Sequence, residues 1–261
     1  MAILIFFAAH WYLSLFSQTF FQHRYGAHSA FKMSKGWEKF FFIVTWLTEG
    51  SSYLSPRAYA IMHRMHHAFT DTEKDPHSPS YSKNLMDMMW KTKNVYTGIF
   101  DSHDGIEPRF LKGVPSWPAF DKFAHGWVSR FGFAIAYTAF YVAYAPNVFC
   151  YLLLPIHFAM GPVHGAVINW YAHKYGYTNY KMNNTSENLF HVDWLMLGES
   201  YHNNHHKFPT RANFGVKWHE VDPIYPIVLM FKTLGIIKMN PVAVNKPKSL
   251  KPEHELEPAE F

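Results

Sequence analysis

Followed along its apolar and charged positions, the chain separates into long uncharged blocks and two basic segments. Residues 1–22 (MAILIFFAAHWYLSLFSQTFFQ) carry no charged side chain, and a helix of that length crosses a hydrocarbon core about 30 Å thick. A second apolar block covers 128–146 and 148–172, split at Pro146-Asn147, a pair that predicts a tight turn between two antiparallel spans. All 24 lysines and arginines lie in 23–130 and 174–251. Three spans therefore leave both basic segments on one side, which the positive-inside rule makes the cytoplasm, with the amino terminus outside. A cleaved signal peptide fits residues 1–22 poorly, because no basic residue precedes the apolar run and cleavage would fall almost on His23.

Two shorter apolar stretches, Phe40 to Leu47 and Ile224 to Ile237, are too short to span, the second being interrupted by Pro226 and Lys232. They are expected at the membrane interface or against the spans, with Trp37, Trp46 and Tyr225 as anchors; ordinary buried helices are the competing reading. Residues 71–123 read as loops with a short helix near Lys83 to Trp90, and the acidic run Asp71 to Asp75 as a solvated loop rather than a calcium site. The Pro-, Lys- and Glu-rich stretch 240–261 is expected to be disordered. The fold class is thus all-α, with multi-pass integral membrane helices and a cytoplasmic helical cap (23–127 and 173–239). Together they form a single domain over 1–239.

Composition changes the picture in one respect. There are 18 histidines in 261 residues, and at that frequency the pattern H-x-x-H-H is expected by chance about 0.08 times. It occurs twice, as His63-Arg-Met-His66-His67 and His202-Asn-Asn-His205-His206. Residues i, i+3 and i+4 share one helical face, so each cluster offers three imidazoles together. A further pair, His23 and His28, is five apart, about 140° around an α-helix, and is expected to serve two different metals rather than one. Eight imidazoles exceed what one first-row ion accepts, so two metals are implied, of the kind that imidazole suits, such as Fe, Zn, Cu or Ni. The isolated His10, His77, His103, His125, His157, His164, His191, His219 and His254 read as surface or hydrogen-bonded core histidines.

Several classes are excluded. The one cysteine, Cys150, lies in an apolar span, which removes disulfide frameworks and iron–sulfur clusters. No Gly-rich nucleotide or flavin fingerprint and no H-E-x-x-H motif is present. The pI of about 9.1 suggests anionic headgroups, substrate phosphates or an acidic redox partner rather than nucleic acid, since the basic residues are spread over a membrane-proximal face.

The three boxes in order, with apolar spans between the second and third, resemble the membrane fatty-acyl desaturases of the stearoyl-CoA, delta-9 type, a three-histidine-box di-iron superfamily. Further segments resemble the acyl-CoA branch: Asp71-Thr-Glu-Lys-Asp75-Pro76-His77 after the second box, Gly198-Glu199 through Phe208-Pro209 around the third, and Asn169-Trp-Tyr-Ala-His173 at the end of the last span. The likeness covers about residues 1–237. It implies nine iron ligands, His23, His28, His63, His66, His67, His173, His202, His205 and His206, with Asn169 acting through a water. One departure stands out: the family pattern has two spans before the first box, where this chain has room for one.

The resemblance implies an O₂-dependent enzyme with two Fe ions that introduces a cis double bond into a saturated acyl chain, expected as a coenzyme A thioester, at the cytoplasmic face of the membrane. Electrons are expected from an external ferredoxin, rubredoxin or cytochrome b5 type donor, since no redox motif is fused to the chain. Asp75, Asp193 and Glu199 are candidates to hold ligand imidazoles. Arg64, Lys74, Lys83, Lys91 and Lys93 are candidates to dock the donor or substrate phosphates. The rival readings are a membrane di-iron hydroxylase of lipid or alkane and, from another class, an intramembrane zinc hydrolase or metal transporter.

Overall fold

The structure, a computed structural model, describes residues 1–102 and 105–241. His103, His254 and all but the first two residues of the expected 240–261 tail lie outside the described residues.

The uncharged amino-terminal block forms one continuous helix, α1 (Ala2–Ala27). It is α-helical through Phe16 and then winds as a π-helix over Ser17–Ala27. Its first half exposes Leu4, Ile5 and Leu13, whereas the second half is buried almost all round. A short strand β1 (Phe31–Met33) leads to α2 (Lys35–Glu49), whose start is capped by the Ser34 hydroxyl accepting from the Trp37 amide. Gly50 ends α2 at φ +55, and a Cβ there would sit 1.7 Å from the Tyr137 hydroxyl. Left-handed backbone and the close approach of a neighbouring helix both require glycine at that corner.

Helix α3 (Pro56–Phe69) starts with the Ser55 side chain as cap and proline in its first turn, and α4 (Leu85–Asp101) starts with Asn84 accepting from the Asp87 amide. Short helices α5 (Pro108–Leu111) and α6 (Pro118–His125) lead into α7 (Trp127–Tyr144). After the Pro146-Asn147 turn a 3₁₀ segment (Val148–Leu153) runs into α8 (Leu154–Phe158), followed by α9 (Met160–Ala166) with a second π turn at Val167–Tyr171. The third box lies on α10 (His202–Lys207), followed by α11 (Ile224–Thr233) and β2 (Ile237–Met239).

The largest core cluster joins Phe20 and Phe21 of α1 to Phe41 and Phe42 of α2, to Ile224 and Val228 of α11 and to the β strands. A second sets Ala58, Ala60 and Ile61 of α3 against Tyr96 and Ile99 of α4. These two clusters clamp the π-helical half of α1 between α2 and α3, which is what holds the first histidine box against the second.

The fold is mostly helical, as expected, but differs in detail. Among the described residues, α1 is the one helix both long and apolar enough to cross a bilayer; Val148–Phe158 and Met160–Tyr171 reach that length only as a pair bent by 77°. The span expected at 128–146 is the 18-residue α7, whose Arg130 and three tyrosines make it less apolar than residues 1–22. Tyr141 of α7 and Leu154 of α8 meet in one cluster, but the second span expected at 148–172 is broken by that bend. The helix expected near Lys83 to Trp90 is about three turns longer at its far end, because Tyr96 and Ile99 pack on α3. Pro226 falls in the first turn of α11, where it interrupts nothing. Beyond α11, Ile237 belongs to a strand that pairs antiparallel with Phe31–Met33; this ribbon joins segments some two hundred residues apart, a pairing that local periodicity does not carry.

Candidate metal centre

All nine histidines named above meet at one place, in two groups. His23, His28, His63, His67 and His205 form one; His66, His173, His202 and His206 form the other. Helix α3 supplies both groups from one face: His63 and His67, one turn apart, enter the first, while His66 enters the second. Helix α10 divides its histidines in the same way, His205 to the first group and His202 and His206 to the second.

The first box corrects the geometry expected of it. His23 and His28 enter the same group, not two. The reason is the π winding of α1, in which the His28 amide donates to the His23 carbonyl, five residues back, at 3.1 Å. Five residues then make about one turn, and side chains that an α-helix would splay are stacked over one another. His173 follows directly on the second π turn, which carries Asn169, and Asn169 lines the same cavity as His23, His63 and His202.

The approaches are made by Nε2 atoms throughout. His63 Nε2 lies 2.9 Å from His23, 2.8 Å from His28 and 3.0 Å from His67, and His205 Nε2 lies 3.0 Å from His23 and 2.9 Å from His67. In the second group His202 is 3.0 Å from both His173 and His206, and His66 is 3.2 Å from His206. These contacts cannot all be hydrogen bonds, because a neutral imidazole nitrogen carries either one proton or one lone pair and His63 Nε2 has three such neighbours. They do match nitrogen ligands at right angles about 2.1 Å from a metal ion, which stand about 3.0 Å apart. The residues present therefore fit two metal ions held by imidazole.

Burial prepares them for it. It pushes the pKa of His28, His63, His66, His67, His202, His205 and His206 well below the ordinary 6.5, and neighbouring imidazoles push the same way. Each is neutral, with a lone pair to give. A base held neutral in the folded state binds fewer protons than in the unfolded chain, so its contribution to stability is present above the unfolded value and lost as pH falls through it. Chelator-treated protein is accordingly expected to keep the same unfolding midpoint between about pH 8 and pH 7.5 and to weaken below about pH 6.5, by up to about 1.4 kcal/mol per pH unit for each histidine that must charge. Denaturant melts across that range check it; a midpoint that rises on acidification contradicts it.

Two of the three candidate carboxylates hold ring nitrogens as expected. Asp75 Oδ1 is 2.9 Å from His66 Nδ1, and Glu199 Oε2 is 2.7 Å from His23 Nδ1. Although burial pushes the Glu199 carboxyl up, His23 and Arg24 pull it below the usual value. Asp193 touches no imidazole. It accepts from the amides of Met196, Gly198 and Ser200, and so shapes the loop that delivers the third box. The acidic run read as a solvated loop is exposed at Thr72, Glu73 and Lys74 but turned inward at its ends: the Asp75 side chain is fully buried, and Asp71 reaches Thr185, whose hydroxyl lies 3.1 Å from His173 Nδ1. Asp71 is four residues from Asp75, a spacing visible in sequence; Thr185, far along the chain, gave no signal.

The cationic candidates separate. Arg64 is largely committed within the fold, since its guanidinium donates to the carbonyls of Gly26, Ala27, Phe110 and Lys112 and so ties α3 to the end of α1. Lys91 pairs with Asp87 and donates to the Tyr81 carbonyl. Lys74 stands over the Phe69 ring, and the Lys83 side chain is at the surface. Of the five, Lys93 lines the cavity.

That cavity, of about 160 Å³, runs beside the histidines between α1, α3, α4 and α9, and its walls include Leu15, Met62, Tyr96, Ile168 and Met196. Among the isolated histidines, His10 and His157 behave as hydrogen-bonded core, their Nδ1 atoms 2.6 Å apart and His157 Nε2 3.0 Å from the Tyr141 hydroxyl. His125 and His191 stack on Phe100 and Tyr177. His164 and His77 depart from that reading: both are buried, line the cavity and have no hydrogen-bond partner for either nitrogen, and the His77 ring lies 4.2 Å from that of His66.

Comparison with known proteins agrees with this geometry. Residues 1–231 match the fatty acid desaturase family. Delta-9 acyl-lipid desaturase 1 of Arabidopsis thaliana is 29% identical over 222 residues, covering 82% of this chain and 67% of that protein. The sn-1 stearoyl-lipid 9-desaturases of Synechocystis sp. and Anabaena variabilis are each 27% identical, covering 83% and 82% of this chain and 64% and 74% of their own lengths. With two imidazole groups beside an apolar cavity and a match running through all three histidine boxes, the chain belongs to the fatty acid desaturase family.

Proposed function

We propose that the protein is a membrane desaturase that introduces a cis double bond into a saturated fatty-acyl chain, using O₂ and two iron ions held by the nine histidines. The observation that carries this reading is the convergence of nine imidazoles, in groups of five and four, beside an apolar cavity that His23, His63 and His202 line. Bound iron supplies the O₂ activation and hydrogen removal that the reaction needs. Two adjacent methylenes lose one hydrogen each, and with two electrons and two protons from outside O₂ leaves as two waters.

The chain's own part is to bind, orient and exclude water. The apolar walls hold an acyl chain extended past the histidines and set which carbons face them. Glu199 and Asp75 fix His23 and His66 with Nδ1 as the proton-bearing atom, leaving Nε2 to ligate. Asn169 is placed in the cavity wall to hold a water at the four-imidazole group.

For the carrier, a lipid ester is better supported than the coenzyme A thioester expected from sequence. The relatives are named for acyl-lipid and stearoyl-lipid substrates, and with Arg64 and Lys91 committed elsewhere, Lys93 is the one docking candidate at the cavity. One ammonium makes a poor cradle for several phosphates. Lys74, Lys83 and Lys93 remain to dock an external electron donor of ferredoxin, rubredoxin or cytochrome b5 type. The apolar exposed faces of α1, α7 and Val148–Leu153 support spans there, with α2 and α11 at the interface and the histidines on the cytoplasmic side of a single domain.

Expression in a desaturase-deficient host, with fatty acids analysed by gas chromatography and mass spectrometry, tests the reading. A new monounsaturated acid is expected, and phospholipid rather than acyl-CoA should carry it first in a pulse label. A hydroxylated acid instead would place the chain among the hydroxylases, and a hydrolytic activity insensitive to oxygen removal would refute the oxidative reading.

A further inference from the structure

Asp71 lies near the centre with its backbone and both oxygens committed. It sits at φ +60, in the left-handed region that residues other than glycine seldom occupy. Its Oδ2 accepts from the Thr185 amide at 2.6 Å and its Oδ1 lies 3.1 Å from the Thr185 hydroxyl. Its own amide donates to Asp75 Oδ2 at 2.9 Å, while Asp75 Oδ1 holds His66. One residue thus joins the supports of two members of the four-imidazole group, His66 and His173.

The direction of the hydrogen bonds fixes the chemistry. An ionised carboxylate only accepts, so the Thr185 hydroxyl must donate to Asp71. That hydroxyl has one proton, so toward His173 it can only accept, at 3.1 Å, and the His173 proton must lie on Nδ1. His173 Nε2, 3.0 Å from His202 Nε2, then bears the lone pair. In the five-imidazole group the corresponding support is direct, Glu199 on His23, and is partnered by Arg24.

We propose that Asp71 is a positioning residue of the four-imidazole group, acting through the Thr185 hydroxyl to hold His173 in its metal-binding tautomer. The inference rests on the ligand assignment proposed above. Asparagine at position 71 would offer one acceptor where two are used. It loses either the Thr185 amide or the polarity of the hydroxyl, and a reversed hydroxyl donates to His173 Nδ1 and leaves the proton on Nε2.

The test is titration of the full-length, detergent-solubilised protein with Co²⁺, read from its visible absorption and by metal analysis, for the unaltered chain, Asp71→Asn, Thr185→Val, Thr185→Ser and His173→Ala. Two ions per chain are expected for the unaltered protein. Asp71→Asn and Thr185→Val are expected to weaken one of them by about 10–100-fold, leave the other unchanged, and change the absorption of the weakened site; Thr185→Ser, which keeps the hydroxyl, restores it. If Asp71→Asn lowers the melting temperature, the Thr185→Val and Thr185→Ser pair decides alone. Unchanged binding in Asp71→Asn and Thr185→Val beside loss of one ion in His173→Ala overturns the relay while leaving the ligand set standing. Two ions retained in His173→Ala overturn the ligand set itself, and the relay with it.

Discussion

His205→Ala is expected to abolish product formation and to release metal from the five-imidazole group. His205 Nε2 stands within 3.0 Å of His23 and His67, so it joins the ligands of α1 and α3 to those of α10. A change one shell out from a ligand costs about 10–100-fold in metal affinity or activity, and loss of a ligand removes more, so activity should fall by at least about 100-fold. Metal analysis and fatty-acid profiling of the same membranes check both parts. His191→Ala, which removes a ring that stacks on Tyr177 away from the centre, should lower neither. Full activity in His205→Ala would sink the assignment of that group.

Arg24→Met is expected to have the largest effect on stability. The guanidinium is 0% exposed and lies 2.9 Å from Glu199 and 2.7 Å from Asp222. It also donates to the carbonyls of Thr19 and Ala212 and to the Thr19 hydroxyl, and it covers the Phe214 ring. Methionine would fill much of the volume but leave two carboxylates buried without a cation, a loss of about 3–5 kcal/mol. For a chain of this size that lowers the melting temperature by roughly 10 °C. Arg24→Lys should recover only part, since a single ammonium cannot bridge both acids in the way a planar fork does. A melting temperature for Arg24→Met within a degree or two of the unaltered protein would show that the pair contributes little.

The centre was more legible in the sequence than its surroundings, for physical reasons. The two H-x-x-H-H clusters signal their chemistry because ligand spacing on a helix is local, and both lie on helices as that spacing requires. His23 and His28 were misassigned because periodicity assumes α-helical winding. The π turns are imposed by partners distant in sequence, such as Asp222 on Arg24 and Leu54 on Gln22, which bury that half of α1. Asp193 and Asp75 look alike in sequence, each a few residues from a box; only the path of the loop decides that one binds amides and the other an imidazole. Arg64 looked like a surface cation between two ligands, yet four carbonyls meet at its guanidinium once α3 lies on α1. Thr185 and the β1–β2 ribbon depend on contacts across more than a hundred residues, where neither spacing nor composition carries a signal.

These distant contacts also bear on how the centre forms. Its candidate ligands come from α1, α3, the end of the α9 segment and α10, so on the proposed assignment no single stretch of chain could hold both metals before the whole fold is assembled. Metal binding and folding should therefore be coupled.

Iron analysis with X-ray absorption of the full-length protein, purified from iron-supplemented cells in detergent, tests the central claim most directly. The account predicts two irons per chain in a shell dominated by imidazole nitrogen at about 2.1 Å. A single metal per chain, or zinc filling both groups in protein that still forms the double bond, would contradict it.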